Sequence, residues 1–541
     1  MDFDVLWKKL YESRWPNHHR RKTKVDWLGR SREEQSEMTM DWQQIYWEKH
    51  LQNCLDEAAA IALIPSFDGY VGDIPVSESI LNAIGYECPL GVSQCNFSKL
   101  SYHCHKFGAF ARYLSLQNVL CSEEICSLLN NSRLKGLELW WIKSKEHVNG
   151  LCRLLRQNNE TLKSIALSHC KLSSSLVDEI CLSLLKKGLQ THGIKHFAIK
   201  SSRFSESNQT SSPRGIATFL ASGRLLSSLT FSDDRLGPND AGMVLTTLLD
   251  DSSRIVSLDL SENNITGWMT HFRCSSTVLS NPSLEIEKSL SLLSLLNLRA
   301  CNLHGNDIKN LQNALFYMPK LETLDISDNP IEDQGIKNLV PVLVELSKRH
   351  SGIANLKVEN CDLSSEGVDE LLTGLSTLKR PLQSLSIREN DLGRPIGRSL
   401  GKFLGIGIQV LDIEEIGLGS NGFLEAVEEI RTDLNLVSIN ISKNRGGIGM
   451  VIFLKKLISR APQLAIVKAG FNFMPVESLS EICSAMKIAK GKLEHVDLTG
   501  NTWSDKAYDI SFLDEFSING KSIFILPLLG GATYEPYDDE P

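Results

Sequence analysis

One arrangement of hydrophobic and polar positions recurs along most of the chain. Its clearest copy begins at Leu321, where apolar residues at the first, fourth and sixth positions precede an Asn at the ninth, in the order LxxLxLxxN. Thirteen frames of this kind follow one another at intervals of 26 to 38 residues, and their first residues are Leu134, Leu162, Ile194, Leu226, Ile255, Leu293, Leu321, Ile353, Leu382, Ile408, Leu436, Leu464 and Leu493. Self-similarity at such a period is the signature of a repeat protein.

Each repeat predicts one strand and one helix. Within the frame the apolar side chains point inward, so neighbouring strands are expected to stack as a parallel sheet. After the frame, for example from Gly335 to Leu346, apolar residues recur at helical spacing and predict an outer helix. The ninth position is Asn263, Asn329, Asn390, Asn444, Asn472 or Asn501, or else Cys170, Cys301 or Cys361. An Asn there can bond the backbone where the chain leaves the strand, and Cys is a small apolar substitute.

This pattern resembles the ribonuclease-inhibitor-like class of leucine-rich repeat proteins over residues 134–503. The resemblance implies an α/β fold: a leucine-rich repeat solenoid, or horseshoe, with a parallel inner β-sheet and outer helices. An atypical unit near Leu114 is expected to begin the stack. We predict three parts, namely a helical N-terminal region that forms a cap at 1–110, the repeat array at 111–503, and a C-terminal cap with an acidic tail at 504–541.

The N-terminal region begins with a predicted amphipathic helix that ends at Pro16. Its apolar residues share one helix face: Phe3, Leu6, Trp7, Leu10 and Tyr11. The simpler interpretation is an ordinary helix whose apolar stripe packs on the first repeats. The string LWKKLYESRWP also resembles the last helix of an F-box, which implies docking on the Skp adaptor of a cullin–RING ubiquitin ligase through Leu6, Trp7 and Leu10. The match covers only residues 3–16, and the first helices of an F-box would lie before Met1.

Other stretches of the chain predict a helix, loops and linkers. Residues 41–64 carry apolar positions at helical spacing and predict a second long helix, whereas 65–80 is rich in Gly, Pro and Ser and predicts irregular structure. The basic run 16–24 is interpreted as a solvated linker, with a nuclear-localisation patch as the alternative. The Ser-rich stretch 201–215 and the insertion 267–288 are expected to form loops on one rim.

Composition narrows the class of protein. The chain has 541 residues, a formal net charge of −8, a hydrophobic fraction of 42% and a charged fraction of 23%. These values are those of an ordinary soluble protein, and the negative charge argues against general nucleic-acid binding. The thirteen cysteines include no CxxC pair, and no signal peptide or membrane span is recognised. We therefore expect reduced thiols in the cytoplasm or nucleus, and no membrane partner.

The densest group of potential metal ligands is Cys88, Cys95, His103, Cys104 and His105. Its spacing, C-x6-C-x7-H-C-H, fits no common zinc pattern, because such patterns place ligands in pairs two to four residues apart. Buried structural thiols explain these cysteines better. We accordingly predict no metal and no cofactor.

Candidate binding residues lie at the fifth, seventh and eighth positions of the frames, which are expected to face the concave side. These positions hold twelve acids against six bases. The partner-binding candidates are Asp259, Glu262, Asp325, Asp328, Glu359, Glu389, Asp412, Glu414, Glu415, Trp140 and Trp141. The acids either recruit a basic protein segment or simply keep the sheet soluble. The two Trp residues either contact a partner or are covered by the N-terminal cap.

These observations predict a non-enzymatic protein–protein interaction scaffold, because the chain lacks the motifs of phosphate binding, zinc peptidases and serine hydrolases. The F-box resemblance implies substrate recognition for a ubiquitin ligase. A free-standing scaffold or inhibitor is the first alternative. A GTPase-activating or immune-type regulator is the second, since Arg299 and Arg388 lie at concave positions and Ran GTPase-activating proteins of similar architecture position an Arg.

Overall fold

The computed structural model describes residues 3–16, 41–86, 96–186, 191–203, 214–250, 253–269, 290–349, 352–488, 493–501, 516–518 and 521–526. These residues form two compact units. Unit 1 comprises the described residues up to Asn263 together with Leu290, and unit 2 comprises the described residues from Asn264 to Met269 and from Ser291 onward. Several predictions fall outside the described residues: nearly all of the basic run, Cys88, Cys95, most of the 201–215 and 267–288 stretches, and the acidic tail.

Unit 1 begins with four helices, which are α1 (Phe3–Arg14), α2 (Trp42–Ala62), α3 (Glu78–Asn82) and α4 (Leu100–Phe107). Two predictions are confirmed here, because α1 ends just before Pro16 and α2 coincides with the predicted long helix. Helix α2 starts at an Asp41 cap, whose carboxylate accepts a hydrogen bond from the backbone N–H of Gln44. The short helix α3 begins within the stretch 65–80, which was expected to be irregular, and ends two residues beyond it.

Six parallel strands follow in unit 1, and they are β1 (Tyr113–Gln117), β2 (Gly136–Trp140), β3 (Ser164–Ser168), β4 (His196–Lys200), β5 (Ser228–Ser232) and β6 (Ser257–Asp259). Each strand pairs with the next one in sequence, and equal frame positions lie side by side. One helix follows each strand from β1 to β5: α5 (Glu123–Leu128), α6 (Lys145–Asn158), α7 (Ser174–Ser183), α8 (Arg214–Ala221) and α9 (Pro238–Asp250).

Unit 2 continues the same pattern with eight strands: β7 (Leu295–Asn297), β8 (Thr323–Asp325), β9 (Asn355–Lys357), β10 (Ser384–Ser386), β11 (Val410–Asp412), β12 (Ser438–Asn440), β13 (Ile466–Lys468) and β14 (His495–Asp497). Its helices are α10 (Gly305–Leu315), α11 (Glu332–Arg349), α12 (Ser365–Leu375), α13 (Gly397–Leu404), α14 (Gly419–Glu429), α15 (Gly447–Arg460) and α16 (Ser478–Ile488). After the last repeat come a small antiparallel pair, β15 (Ser517–Ile518) with β16 (Lys521–Ser522), and β17 (Phe524–Ile525), which pairs with β14 in parallel. The predicted α/β repeat solenoid is confirmed.

The frame explains the core. In the repeat of β8, Leu321, Leu324 and Ile326 are buried, and the equivalent apolar residues of the other repeats are buried as well, except the half-buried Leu493. Asn329 is fully buried, and its Oδ1 accepts hydrogen bonds of 2.9 Å from the backbone N–H groups of Cys301 and Leu303. Its Nδ2 donates to three backbone carbonyls. The predicted role of the ninth-position Asn is confirmed, because these bonds satisfy backbone groups that would otherwise be buried unpaired.

The eighth position of every frame adopts a left-handed backbone conformation, which the sequence alone did not predict. The residues with positive φ at this position are Trp141, His169, Ser201, Asp233, Glu262, Ala300, Asp328, Asn360, Glu389, Glu415, Lys443, Phe471 and Gly500. A non-glycine residue pays about 1–2 kcal/mol for this conformation. This conformation lets the backbone N–H donate a hydrogen bond to a carbonyl of the next repeat, as in the 2.8 Å bond from Asp328 N to the Glu359 carbonyl.

Helix α2 covers the edge strand β1. The Glu48 carboxylate accepts hydrogen bonds from the backbone N–H groups of Arg112 (2.7 Å) and Tyr113 (2.9 Å). One turn later, Gln52 donates to the Ser115 carbonyl at 2.8 Å and accepts from its N–H at 2.9 Å. These side chains occupy backbone groups that would otherwise be free to pair with another strand.

Two further properties follow from the described residues. None of their helices combines the length and the apolar character that crossing a membrane requires. Their ten cysteines are all buried and all carry free thiols. The interpretation of the ninth-position cysteines as structural groups is confirmed by the burial of Cys170, Cys301 and Cys361.

Candidate partner-binding face

Side chains at the third, fifth, seventh and eighth frame positions of β7 to β14 form what we call the unit 2 face. Charged residues dominate it. Its acids are Asp325, Asp328, Glu359, Glu389, Asp412, Glu414, Glu415 and Asp497, and its bases are Arg299, Lys357, Arg388, Lys443 and Lys468. Eight acids against five bases leave a formal charge of −3 on this face.

A first group of ion pairs is centred on Glu359. Its carboxylate lies 3.4 Å from the guanidinium groups of both Arg299 and Arg388. Arg299 also pairs with Asp328 at 2.5 Å, and Arg388 pairs with Glu389. These charges therefore form one network that runs across four successive repeats.

A second group of polar contacts lies on β11 and β12. Asn440 Nδ2 donates to Asp412 at 3.2 Å and to Glu414 at 2.8 Å. Lys443 Nζ lies 3.0 Å from both Glu414 and Glu415. Burial raises the pKa of Asp412; burial would also raise that of Glu414, but the hydrogen bonds from Asn440 and Lys443 outweigh it and lower the pKa. Lys443 pairs with two of the three acids, Glu414 and Glu415, and Asp412 adds a third carboxylate, so this group keeps a negative charge.

Two predicted contact residues are buried, contrary to the expectation that their carboxylates are open to a partner. Asp325 and Glu359 are each 8% exposed. Asp325 accepts a hydrogen bond from the Ser327 N–H at 3.1 Å and pairs with Lys357 at 3.2 Å. Both carboxylates hold neighbouring groups in place, because their oxygens are occupied by partners from this chain. Asp328, Glu389 and Glu415 are the more accessible acids.

The corresponding positions of β2 to β6 form the unit 1 face, which carries fewer charges. Asp259 is half-buried, and its carboxylate accepts a hydrogen bond from the backbone N–H of Ser261 at 3.0 Å. Glu262 follows at the left-handed eighth position and is exposed. Asp259 and Glu262 thus belong to unit 1, whereas the other predicted acids belong to unit 2.

Trp140 and Trp141 have different surroundings. Trp140 is half-buried; its indole N–H donates to the Ser115 hydroxyl at 3.0 Å, and its ring stacks on His169 at 5.6 Å. Trp141 is 39% exposed, at the left-handed eighth position. Of the two, Trp141 offers the accessible aromatic surface.

The apolar residues of α1 do not act as one buried stripe. Trp7 packs against α2, with ring centroids 5.3 Å from Tyr46 and 5.7 Å from Trp47. Leu6 and Leu10 are 46% and 43% exposed. The expectation that the whole stripe packs on the first repeats is wrong, because Trp7 contacts α2 while the two leucines face outward.

Comparisons with known proteins found a matching family model and several similar proteins. A family model described as "Leucine Rich repeat" matches residues 317–340. The ribonuclease inhibitor of Sus scrofa is 25% identical over 232 residues, which are 42% of this chain and 48% of that protein. The "NACHT, LRR and PYD domains-containing protein 14" of Mus musculus is 26% identical over 298 residues, 54% of this chain and 27% of that protein. The chain thus spans about half or less of these relatives.

The "Crystal structure of TLR13-ssRNA13 complex" contains a chain that aligns with a TM-score of 0.36 and 14% identity, over 77% of this chain and 65% of that one. The fold assignment does not depend on that alignment. The repeated frame, the parallel strands and the family match establish the fold as a leucine-rich repeat solenoid. Its repeats are similar to those of ribonuclease inhibitors.

Proposed function

We propose that this chain is a non-enzymatic scaffold that binds a protein partner with a basic segment through the unit 2 face. The observation that carries the proposal is the excess of eight acids over five bases on that face. Complementary charge steers association and fixes the register of a partner, so binding should weaken as salt is added.

The ion pairs of the unit 2 face support this proposal rather than oppose it. Arg299, Arg388 and Lys443 hold the carboxylates in fixed positions, so a partner does not have to order them. Glu389 and Glu415 each meet one base of this chain and retain about 34% and 43% side-chain exposure. An Arg or Lys of the partner can therefore approach both carboxylates from solvent.

The finer proposal is that the scaffold is a substrate-recognition subunit of a cullin–RING ubiquitin ligase. Its support is the F-box resemblance of α1 together with the exposure of Leu6 and Leu10. In this proposal the two leucines contact the Skp adaptor, whereas Trp7 anchors α1 on α2. The unit 2 face then remains open for the substrate.

A free-standing inhibitor is the second candidate function, and the similarity to proteins named ribonuclease inhibitor favours it. An inhibitor would use the same unit 2 face and would need no contact with α1.

The GTPase-activator alternative has less support. Both Arg299 and Arg388, which it would need as free side chains, pair with Glu359.

One affinity-purification experiment with mass spectrometry tests these proposals. The full chain is compared with a face variant, Glu389→Lys with Glu415→Lys, and an α1 variant, Leu6→Ser with Leu10→Ser. Glu366→Lys with Glu370→Lys serves as the charge control, because both residues are exposed on α12 and lie off the face. The face variant should lose the principal partner, and the control should retain it.

The adaptor provides the second measurement. If the ligase proposal holds, the α1 variant loses the Skp adaptor but keeps the principal partner, and the face variant shows the opposite result. Retention of the partner by the face variant would refute the scaffold proposal. Recovery of a partner without any adaptor, from the unaltered chain, would leave the free-standing inhibitor.

A further inference from the structure

Three buried side chains meet in the N-terminal cap, on helices that precede the repeat strands of unit 1. His50 and Cys54 lie on α2 and His103 lies on α4, with exposures of 0%, 1% and 0%. One nitrogen from each histidine and the sulfur of Cys54 all lie within 4.8 Å of one another. The sequence pattern had grouped His103 with its neighbours in the chain, whereas the fold brings it to a histidine and a cysteine of another helix.

The separations of these atoms match those of ligands around one metal ion. His50 Nε2 is 3.0 Å from His103 Nδ1 and 3.6 Å from Cys54 Sγ. Tetrahedral Zn²⁺ has bonds of about 2.0–2.1 Å to nitrogen and about 2.3 Å to sulfur, which place two nitrogens about 3.3 Å apart and nitrogen and sulfur about 3.6 Å apart. These two separations are therefore within a few tenths of an ångström of the metal-bound values, and the third, between Cys54 Sγ and His103 Nδ1, is at most 4.8 Å.

We propose that His50 Nε2, Cys54 Sγ and His103 Nδ1 bind a borderline-soft transition-metal ion, with Zn²⁺ as the expected occupant. Imidazole and thiolate are the ligands that zinc prefers in proteins. The i, i+4 spacing of His50 and Cys54 places both on one face of α2. Three protein ligands leave a fourth coordination position open.

The tautomers of the two histidines follow from the groups at either end of the cluster. Arg14 can only donate, so His50 Nδ1, which is 3.1 Å from it, accepts. His50 Nε2 therefore carries the proton and donates to His103 Nδ1. His103 Nε2 in turn donates to the Phe97 carbonyl at 2.8 Å. His103 already has the tautomer and the carbonyl partner that a metal-binding histidine requires.

Two parts of this arrangement oppose the metal: burial raises the pKa of the Cys54 thiol, and Arg14 contacts His50. When His50 Nε2 binds the ion, its proton moves to Nδ1, which can then no longer accept from a guanidinium. Cys54 releases its thiol proton to solvent, so the ion and the thiolate together carry one positive charge. Arg14 must therefore leave His50, and metal binding opposes this contact of α1.

Metal binding would break the contact between His50 and the C-terminal end of α1. Arg14 is the last residue of that helix, and its guanidinium also donates to Tyr46 Oη at 3.3 Å and to the Ile80 carbonyl at 3.4 Å. Apolar rings also pack against the cluster, because the ring centroids of Trp47 and Phe107 lie 5.7 and 5.0 Å from that of His50. The site is thus coupled to how firmly α1 is held on α2.

The test uses the full chain after removal of metals with a chelator, titrated with Zn²⁺ and, for its absorption spectrum, with Co²⁺. The chain should bind one equivalent, and Co²⁺ should give the charge-transfer band of a cobalt–thiolate bond. Cys54→Ser and His103→Gln should each weaken binding by about 100-fold. The matched controls, Cys483→Ser for a buried thiol and His105→Gln for the exposed neighbour on α4, should leave it unchanged.

Arg14→Gln keeps the proposal testable even if the ligand variants fold poorly. The amide oxygen of Gln can accept from His50 Nδ1–H, so this variant should bind Zn²⁺ about 10-fold more tightly than the unaltered chain. Failure to bind a stoichiometric ion, or equal loss of binding in the control variants, would overturn the proposal. In that case the three side chains form only a hydrogen-bonded core. Weaker binding by the Arg14 variant would overturn the proposed antagonism.

Discussion

The unit 1 face and the unit 2 face are built on the same backbone, yet their surfaces differ. The third, fifth and seventh positions of unit 1 hold mostly small residues, such as Ser164, Ala166, Ala198, Ser228, Thr230, Ser232, Ser257 and Ser261. The unit 2 face carries the ion-pair network around Glu359 and the polar group around Lys443. The apolar positions of the frame define the fold, and the positions between them remain free to define a binding surface.

The buried ninth positions differ between the units as well. In unit 2 Asn occupies most of them, and each Asn bonds the backbone of two repeats. In unit 1 they are Ile142, Cys170, Ser202, Asp234 and Asn263. Unit 1 therefore satisfies the same turn with fewer or weaker hydrogen bonds, and one of its groups is an acid. The first and last predictions below compare a change in one unit with the equivalent change in the other, and the second concerns the acid of unit 1.

The largest effect is expected at the ninth positions. Asn329→Ala should lower the free energy of unfolding by about 3–5 kcal/mol, because it removes five hydrogen bonds and leaves buried backbone groups unpaired. Ser202→Ala should cost only about 1–2 kcal/mol, since Ser202 makes two side-chain bonds, to Cys170 N and to the Lys200 carbonyl. Urea denaturation followed by circular dichroism measures both. Equal losses of stability in the two variants would contradict the proposal that the ninth positions of unit 2 contribute more than those of unit 1.

The second prediction concerns Asp234, the acid at the ninth position of unit 1. Its Oδ1 accepts a hydrogen bond from Ser202 N at 2.8 Å, but its buried Oδ2 meets no hydrogen-bond partner among the residues that the structure describes. Burial raises the pKa of Asp234 to about 8, well above the 3.8 of an ordinary Asp. The folded state therefore favours the protonated form. The stability that this provides is complete below about pH 4 and is lost as the pH rises through about 8.

Asp234→Asn should remove this dependence on pH. In the next repeat, Asn263 Nδ2 donates to the Phe231 carbonyl at 2.8 Å, and an Asn at position 234 can make the equivalent bond. At pH 9 the variant should be about 2 kcal/mol more stable than the unaltered chain, with a smaller gain at pH 5. The measurement is urea denaturation at several pH values. If the free energies of unfolding of the two proteins depended on pH in the same way, ionisation of Asp234 would not destabilise the folded state.

Much of the fold could be predicted from the sequence, because the frame repeats often enough to define its own register. The placement of Leu324 in the core and Asn329 in the turn follows from the frame, and the acid at Asp234 could have been found by counting to the ninth position. The pairing of Asp325 with Lys357 could not, since it depends on the separation of two strands. The meeting of His50 with His103 depends on how α2 and α4 pack, which no local pattern determines.

The smallest effect is expected on the two faces. Glu359→Gln removes the charge between Arg299 and Arg388, and should lower the free energy of unfolding by about 1 kcal/mol, since both guanidinium groups are partly exposed and keep other acids nearby. Glu262→Gln on the unit 1 face should change it by less than about 0.5 kcal/mol, because Glu262 is exposed. The loss at Glu359 should also shrink in high salt, whereas Glu262→Gln should be insensitive to salt. If both variants behave alike, the charges of the unit 2 face do not act as a network, and its acids remain separate surface groups.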